Sequence, residues 1–371
     1  MRRERTVTRV ALARALAALG GSLWPPLAAL AFALAVSAGI VAAIGESPAA
    51  VLPLLFRQGL GSLDGFARVL FDATPLVLTG LSVAWAFRGG LFNIGAEGQL
   101  YVGAFCAAGL ALALPGLPRW LALPAAVLAA ALGGALWGAI PGWLRARFGV
   151  HEVINTIMLN FIAVGLTGYL VQRYLKEPGQ MIPHTPRIAA SYHLHPFAES
   201  AAGRALGLSP ANPLGPSLLI ALAAALAVWA LLRWSVAGYR LRAVGQGPEA
   251  ARQAGIPVGR VTWQAMAMSG ALAGLVGVHD VLLYRHRFLD NFSSGLGFLG
   301  IAVALMGRNH PLGILLAALL FGFFSTGALE IDIFTEVPRE LVVVLQALII
   351  LAVVSIGELA ARARRRRRRA S

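Results

Sequence analysis

The sequence has few of the residues on which soluble enzymes and cross-linked proteins depend. Only 13% of its 371 residues are charged and 58% are hydrophobic, so a soluble globule would leave its surface short of charge. The only cysteine is Cys106, which excludes an internal disulfide. The only lysine is Lys176, and it is not part of a glycine-rich nucleotide loop, which excludes a P-loop ATPase. Composition therefore predicts a polytopic membrane protein. No sequence pattern of a zinc protease or serine hydrolase occurs and no pair of nucleophile and base stands out, so we expect a protein that is not an enzyme, with an intramembrane hydrolase as the open alternative.

The positive charge lies mainly at the two ends of the chain and in short loops. The net charge is +15, and residues 364–369 are all arginine. Basic residues beside membrane spans are typical of the cytoplasmic side, where they meet anionic lipid. This distribution predicts a basic cytoplasmic lead (1–24), a membrane domain (25–358) and an arginine-rich cytoplasmic tail (359–371), with membrane lipid rather than nucleic acid as the partner.

Long apolar runs predict an all-α protein with about ten transmembrane helices, since only helices and closed barrels span membranes and barrel strands would alternate apolar and polar residues. A loop with Glu46, Arg57, Asp64 and Arg68 is expected after the first run, and the eighth run is short enough to be a broken or re-entrant helix. The runs are 27–44, 71–87, 88–114, 121–144, 153–174, 217–234, 261–283, 296–306, 311–329 and 341–356.

Basic residues also predict the orientation of these spans. Loops on the side of the termini hold 21 of the 31 basic residues, which places both termini in the cytoplasm. Loop 176–216 then faces outward and segment 238–260 faces inward. A division after the fifth span gives two inverted halves of five helices, in which the glycine-rich segments 89–98 and 295–307 enter from opposite sides as broken helices.

Polar side chains interrupt the third run directly after Arg88. Asn93, Glu97 and Gln99 lie among four glycines, and polar groups in hydrocarbon usually face a cavity or a partner. With Asn155 and Asn160 of the fifth run, they predict the wall of a solute path. The alternative is that these side chains bond neighbouring helices together, with Glu97 neutral or paired with Arg88.

A short cytoplasmic helix is predicted over residues 248–254, because proline suits its first turn and glycine suits its end. Such a helix is either a docking element for a partner or an ordinary interfacial helix. Its candidate docking residues are Pro248, Glu249, Ala250, Ala251, Arg252 and Gly255.

Three histidines of the outer loop, His184, His193 and His195, are the residues closest to a metal-binding pattern. We expect them to be loop histidines without order, and no metal site is predicted.

Several segments resemble the ABC-importer permeases of the simple-sugar and branched-chain amino-acid class, and specifically their nucleoside-type branch. The resemblance covers about residues 65–355. It departs from the family pattern at Phe298 and Leu299, because relatives more often carry a polar or acidic residue near Leu299. The matching segments are 89–99, 151–160, 249–256, 268–277 and 300–311.

This resemblance implies a subunit of the bacterial inner membrane that works with a second, related permease, a cytoplasmic ATPase and an extracellular solute-binding protein. ATP would bind the ATPase, and this chain would need no cofactor. The cargo implied is a nucleoside, on whose base Phe92 could stack. Two other readings stay open: a proton-coupled transporter that uses Glu97 or Asp72, and a membrane scaffold without transport.

Overall fold

The computed structural model describes residues 47–334 without a gap, together with residues 35, 38, 39, 41–43, 45, 344, 347, 348 and 351. Gln58–Thr326 forms one compact unit, and Met1–Arg57 with Gly327–Ser371 forms another. The predicted lead and tail lie outside the described residues, as do most of the first and tenth predicted spans.

The described chain is helical, and its ordered residues contain no β-strand beyond one isolated bridge between His184 and Leu289. Turns of π-helix, Val171–Leu175 and Val278–Arg285, follow the helices Glu152–Leu170 and Val258–Gly274. The helices are α1 (Pro48–Leu60), α2 (Leu63–Arg88), α3 (Ala96–Ala113), α4 (Arg119–Phe148), α5 (Glu152–Leu170), α6 (Ala201–Ala205), α7 (Ser217–Trp234), α8 (Val236–Gln246), α9 (Pro248–Gln253), α10 (Val258–Gly274), α11 (Leu296–Met306) and α12 (Pro311–Phe334).

Six of the described helices are long and apolar enough to cross a membrane: α2, α3, α4, α5, α7 and α10, with α5 and α10 counted together with their π-helical turns. Most of α2 and α10 is buried inside the protein, whereas less than a third of α4, α5 and α7 is. The prediction of a polytopic helical membrane protein is therefore confirmed, with α2 and α10 at the centre.

The expected loop after the first run is wrong. Residues 48–60 form α1, and α2 begins at Leu63, eight residues before the predicted span. The Ser62 hydroxyl accepts a hydrogen bond from Gly65 N at 2.9 Å, so it caps the first turn of α2, and Asp64 suits the positive end of the helix dipole. Charged residues at 57, 64 and 68 indicated a loop, but they lie on helices.

Small residues allow α4 and α10 to pack backbone against backbone. Gly134 and Gly138 on α4 face Gly270 and Gly274 on α10, and a Cβ on Gly134 would collide with the Gly270 carbonyl oxygen. Close approach through glycines spaced four apart is a common way for membrane helices to associate. This contact holds α4 against the buried helix α10.

The short helix α11 begins and ends at the residues that the sequence predicted. Its N-terminal flank, Gly295, has φ +92°, a left-handed conformation that favours glycine. Gly300 on α11 packs directly on Thr79 of α2, so α11 crosses α2 with little space between the backbones.

The outer loop (176–216) is ordered and docks on the segment that follows α10. Backbone hydrogen bonds join Thr185 N to Phe288 O at 2.9 Å, Ile188 N to His286 O at 2.9 Å and Leu194 N to Leu282 O at 2.8 Å. The Asp64 carboxylate accepts bonds from Ser209 N and the Asn212 amide, both at 2.8 Å. These contacts fix the loop at both ends of its course.

The expectation of histidines without order is wrong. His184 is buried beside Glu177 and Arg287, and His195 bonds Glu199 and Arg119. His193 stacks on His286 with ring centroids 3.9 Å apart, and burial, with the nearby His193, lowers the pKa of His286 to about 4. Within the described chain no three His, Cys, Asp or Glu side chains are placed to hold a metal ion.

Candidate functional site

The polar stretch predicted as a path wall is a non-helical connection between α2 and α3. Gly89 and Leu91 both donate backbone hydrogen bonds to Ala86 O, at 2.9 and 3.1 Å, which end α2. Gly90 has φ +72°, a conformation that favours glycine, and lies against Gly245 of α8, where a Cβ on Gly245 would collide with the Arg88 carbonyl oxygen. The connection is therefore held tightly between the two neighbouring spans and α8.

Four buried side chains, Ser82, Asn93, Gln99 and Ser269, form a central polar cluster. The Asn93 amide donates to Gln99 Oε1 and to Ser269 Oγ, each at 2.8 Å, and Asn93 Oδ1 accepts from Gly95 N at 2.9 Å. Ser269 Oγ donates to Ser82 O at 2.6 Å. Each of these four side chains therefore has a protein partner. Together they join α2, the connection between α2 and α3, α3 itself and α10.

One face of α5 packs along the same connection. Its buried members are spaced by three or four residues, which places them on a single helical stripe. Asn160 donates to Ile94 O at 3.0 Å and accepts from Gly98 N at 2.8 Å. The stripe consists of Glu152, Thr156, Asn160, Ala163 and Thr167.

Glu97 joins the first turn of α3 to the first turn of α11. Its carboxylate accepts hydrogen bonds from Gly297 N at 2.6 Å and from Gly295 N at 3.3 Å. A carboxylate is favourable at a helix N-terminus, where N–H groups lack partners inside the helix. A Cβ on Gly297 would collide with the Glu97 backbone, so the two helix starts touch.

The suggested pair between Glu97 and Arg88 is wrong. The Arg88 guanidinium instead donates to the Asn309 carbonyl oxygen, at 2.8 Å from Nη2 and 3.1 Å from Nε. Arg88 therefore binds the segment that follows α11, and Glu97 binds the start of α11.

Asn155 and Phe92 lie apart from the buried groups. Asn155 is five residues from Asn160, which is about 140° around a helix, so the two side chains point in different directions. Asn155 is half-buried among the exposed Ile154 and Met158, and its Nδ2 has no hydrogen-bond partner in the described structure. Phe92 is half-buried and meets Phe87 edge to face. Contact between the six predicted path residues and a solute stays a prediction.

The predicted cytoplasmic helix is present as α9, with Pro248 in its first turn. Gly255 N bonds to Arg252 O and Ile256 N to Ala251 O, both at 3.0 Å, and Gly255 has φ +76°, so the helix ends in a Schellman motif. Ala251 is buried and anchors the helix, while Glu249 and Arg252 are exposed and pair with each other at 2.6 Å. An exposed polar face is thus held at a fixed position.

Comparison with known proteins supports the resemblance seen in the sequence. A family model described as the permease component of the branched-chain amino acid transport system matches residues 65–354. The chain belongs to this family of permeases. It is therefore a multi-pass protein of the inner membrane that serves as a transport subunit, and not an enzyme.

Individual relatives of the permease carry more specific names. The guanosine ABC transporter permease protein NupP of Bacillus subtilis is 40% identical, over 89% of this chain and 92% of its own length. The nucleoside ABC transporter permease protein NupB of Lactococcus lactis is 36% identical, over 88% of each chain. The glucose ABC transporter permease protein TsgB13 of Haloferax volcanii is 35% identical, over 89% of this chain and 86% of its own length.

Three residues of the permease site escaped prediction from the sequence. Glu152 is buried, accepts from Phe92 N at 3.5 Å and pairs with Arg145 at 3.4 Å. Its spacing from Thr156 and Asn160 was a readable signal of a shared helical face. Ser82 and Ser269 had no such signal, because they meet only when α2 and α10 cross.

Proposed function

We propose that the permease forms the translocation path of an ATP-driven importer for nucleosides or related purine compounds. The observation that carries this proposal is its 40% and 36% identity to a guanosine and a nucleoside permease over nearly the whole chain. The alternative of a proton-coupled transporter is not favoured, since relatives over this length are named as ABC transporter permeases.

The geometry supports a division of labour among the polar residues. Four of them already hydrogen-bond to other parts of the protein: Asn93, Glu97, Gln99 and Asn160. We assign these four to holding the connection between α2 and α3 rigid. We assign contact with a polar solute that has a flat base to the half-buried Phe92 and to Asn155, whose amide Nδ2 is buried without a partner in the described structure. The exposed face of α5 around Asn155 would then line a path completed by a second, related permease.

The full topology belongs to the same proposal. Ten spans in two inverted halves, with both termini in the cytoplasm, agree with the basic residues near Arg88, Arg145 and α8. The contact between the starts of α3 and α11 suits broken helices that approach the middle of the membrane from opposite sides.

Two surfaces suit the remaining partners. The exposed face of α9 would dock in a cytoplasmic ATPase, which binds the ATP that this chain has no motif to bind. The ordered outer loop (176–216) would offer a firm platform to an extracellular solute-binding protein. Segment 238–260 and loop 176–216 would then act on opposite sides of the membrane.

Uptake of labelled guanosine tests the proposal. A strain that lacks the permease should lose ATP-dependent guanosine uptake, and the gene on a plasmid should restore it. Because one relative is a glucose permease, unlabelled glucose is the informative competitor. Competition by glucose but not by adenosine would contradict a nucleoside cargo, and uptake that survives ATP depletion but not a protonophore would contradict the energy source.

A further inference from the structure

A cavity of about 330 Å³ lies where the end of α2 meets α8 and the first turns of α10. Its wall carries two arginines, Arg240 and Arg260, with Gln264 beside them, and no acidic residue. Both arginines are exposed, and neither has a hydrogen-bond or ion-pair partner within residues 47–334. Within the described part of the chain, no acidic side chain pairs with these two positive charges.

Trp85 gives a second, independent indication that a ligand belongs there. It lines the same cavity and is only 5% exposed, yet its indole Nε1 is buried with no acceptor in the described structure. Buried N–H groups almost always have an acceptor. A ligand rich in hydrogen-bond acceptors would satisfy the indole and both guanidinium groups together.

Phosphate oxygens match this set of donors. Arginine binds phosphate through paired, charge-assisted hydrogen bonds, and an indole N–H can only donate. The apolar part of the lining, with Leu241, Val261 and the exposed Val236, suits a ligand that also has hydrocarbon.

The position of the cavity indicates the source of the phosphate. It lies next to Arg88, at the end of α2, on the side that the basic residues place in the cytoplasm, where anionic lipids attract arginine. We propose that Arg240, Arg260 and Trp85 bind the phosphate group of an anionic phospholipid of the cytoplasmic leaflet. The lipid would brace α8 against α10, and α8 leads directly into α9.

The test compares two double variants of the purified full-length chain in a neutral detergent. R240Q/R260Q removes the site, and R147Q/R233Q removes two other exposed arginines that have no partner in the described structure. Melting is followed while phosphatidylglycerol, phosphatidylcholine or inorganic phosphate is added. Without lipid, all three proteins should melt alike, because these side chains are exposed.

We expect phosphatidylglycerol to stabilise the wild type and R147Q/R233Q at similar concentrations. R240Q/R260Q should need about 25-fold more, since each arginine near an anionic surface contributes about fivefold. Equal responses of the two double variants would overturn the site. Equal stabilisation by phosphatidylcholine would show that the negative headgroup does not matter, and equal stabilisation by inorganic phosphate would overturn the lipid as its source.

Discussion

Asn93 is the residue whose loss should cost the permease most stability within the central polar cluster. Asn93→Ala would leave the Gln99 amide and Gly95 N without their partner in a fully buried place, while Ser269 would keep its bond to Ser82. We expect the free energy of unfolding to fall by about 1–3 kcal/mol. Thermal melting of the purified protein measures this change.

Asn155→Ala removes the same amide from a side chain whose Nδ2 has no partner. The free energy of unfolding of this variant should stay within about 0.5 kcal/mol of the wild-type value, while its KM for nucleoside uptake rises. If instead Asn155→Ala melts as low as Asn93→Ala with an unchanged KM, the division between bracing and path residues is wrong.

For single residues, the sequence predicted which side chains matter more reliably than it predicted which groups those side chains contact. Asn93, Glu97 and Gln99 were identifiable because polar groups in an apolar run are costly. Their distant partners were not, because Ser269 lies 176 residues from Asn93 and Gly297 lies 200 residues from Glu97 along the chain. The different directions of Asn155 and Asn160 follow from helical spacing alone and were available from the sequence.

At the scale of helices, glycine residues predicted the helix ends well, whereas charged residues predicted them poorly. Gly295 and Gly307 flank α11 as predicted, because a left-handed or tightly turned residue ends a helix. Arg57 and Asp64 suggested a loop where the chain forms α1 and α2. Exposed helical ends accommodate such charges, so their presence does not decide between helix and loop.

The contact between α4 and α10 makes a prediction at the scale of helices. Gly134→Ala would place a methyl group against the Gly270 carbonyl and force the helices apart, at a cost of about 1–3 kcal/mol. Gly165→Ala is the matched control, since a Cβ there meets nothing within 4 Å and alanine favours the helix. Melting of both variants checks this, and similar losses for both would exclude close packing as the cause.

Helix α9 makes a further prediction, which concerns coupling to the ATPase. Glu249→Arg should abolish most nucleoside uptake without lowering the amount of permease in the membrane, because the exposed carboxylate would contact the ATPase. The double variant E249R/R252E restores an ion pair within the helix. If the double variant recovers uptake, the pair only stabilises α9 and docking through Glu249 is contradicted.

Within the unit Gln58–Thr326, the starts of two helices, α3 and α11, are in contact. Glu97 binds the first turn of α11, and Arg88 binds the segment that follows α11, so the connection between α2 and α3 spans the length of the short helix. The sequence predicted two broken segments from glycine content and opposite orientation from charge. It could not predict that they touch, since no local pattern encodes that distance.

Orientation in the membrane makes the last prediction. Cys106 is the only cysteine, so Cys106→Ala gives a background in which one new thiol reports one position. Glu199 in the outer loop and Glu249 on α9 are matched sites. Each carboxylate is more than half exposed and, among the described residues, pairs only with a neighbour on its own segment. A membrane-impermeant maleimide should label Glu199→Cys in intact cells, and Glu249→Cys only after the membrane is opened. Labelling of both cysteines in intact cells would place segment 238–260 outside the cell, where a cytoplasmic ATPase could not bind α9. The expected pattern places loop 176–216 outside, where a solute-binding protein delivers its cargo.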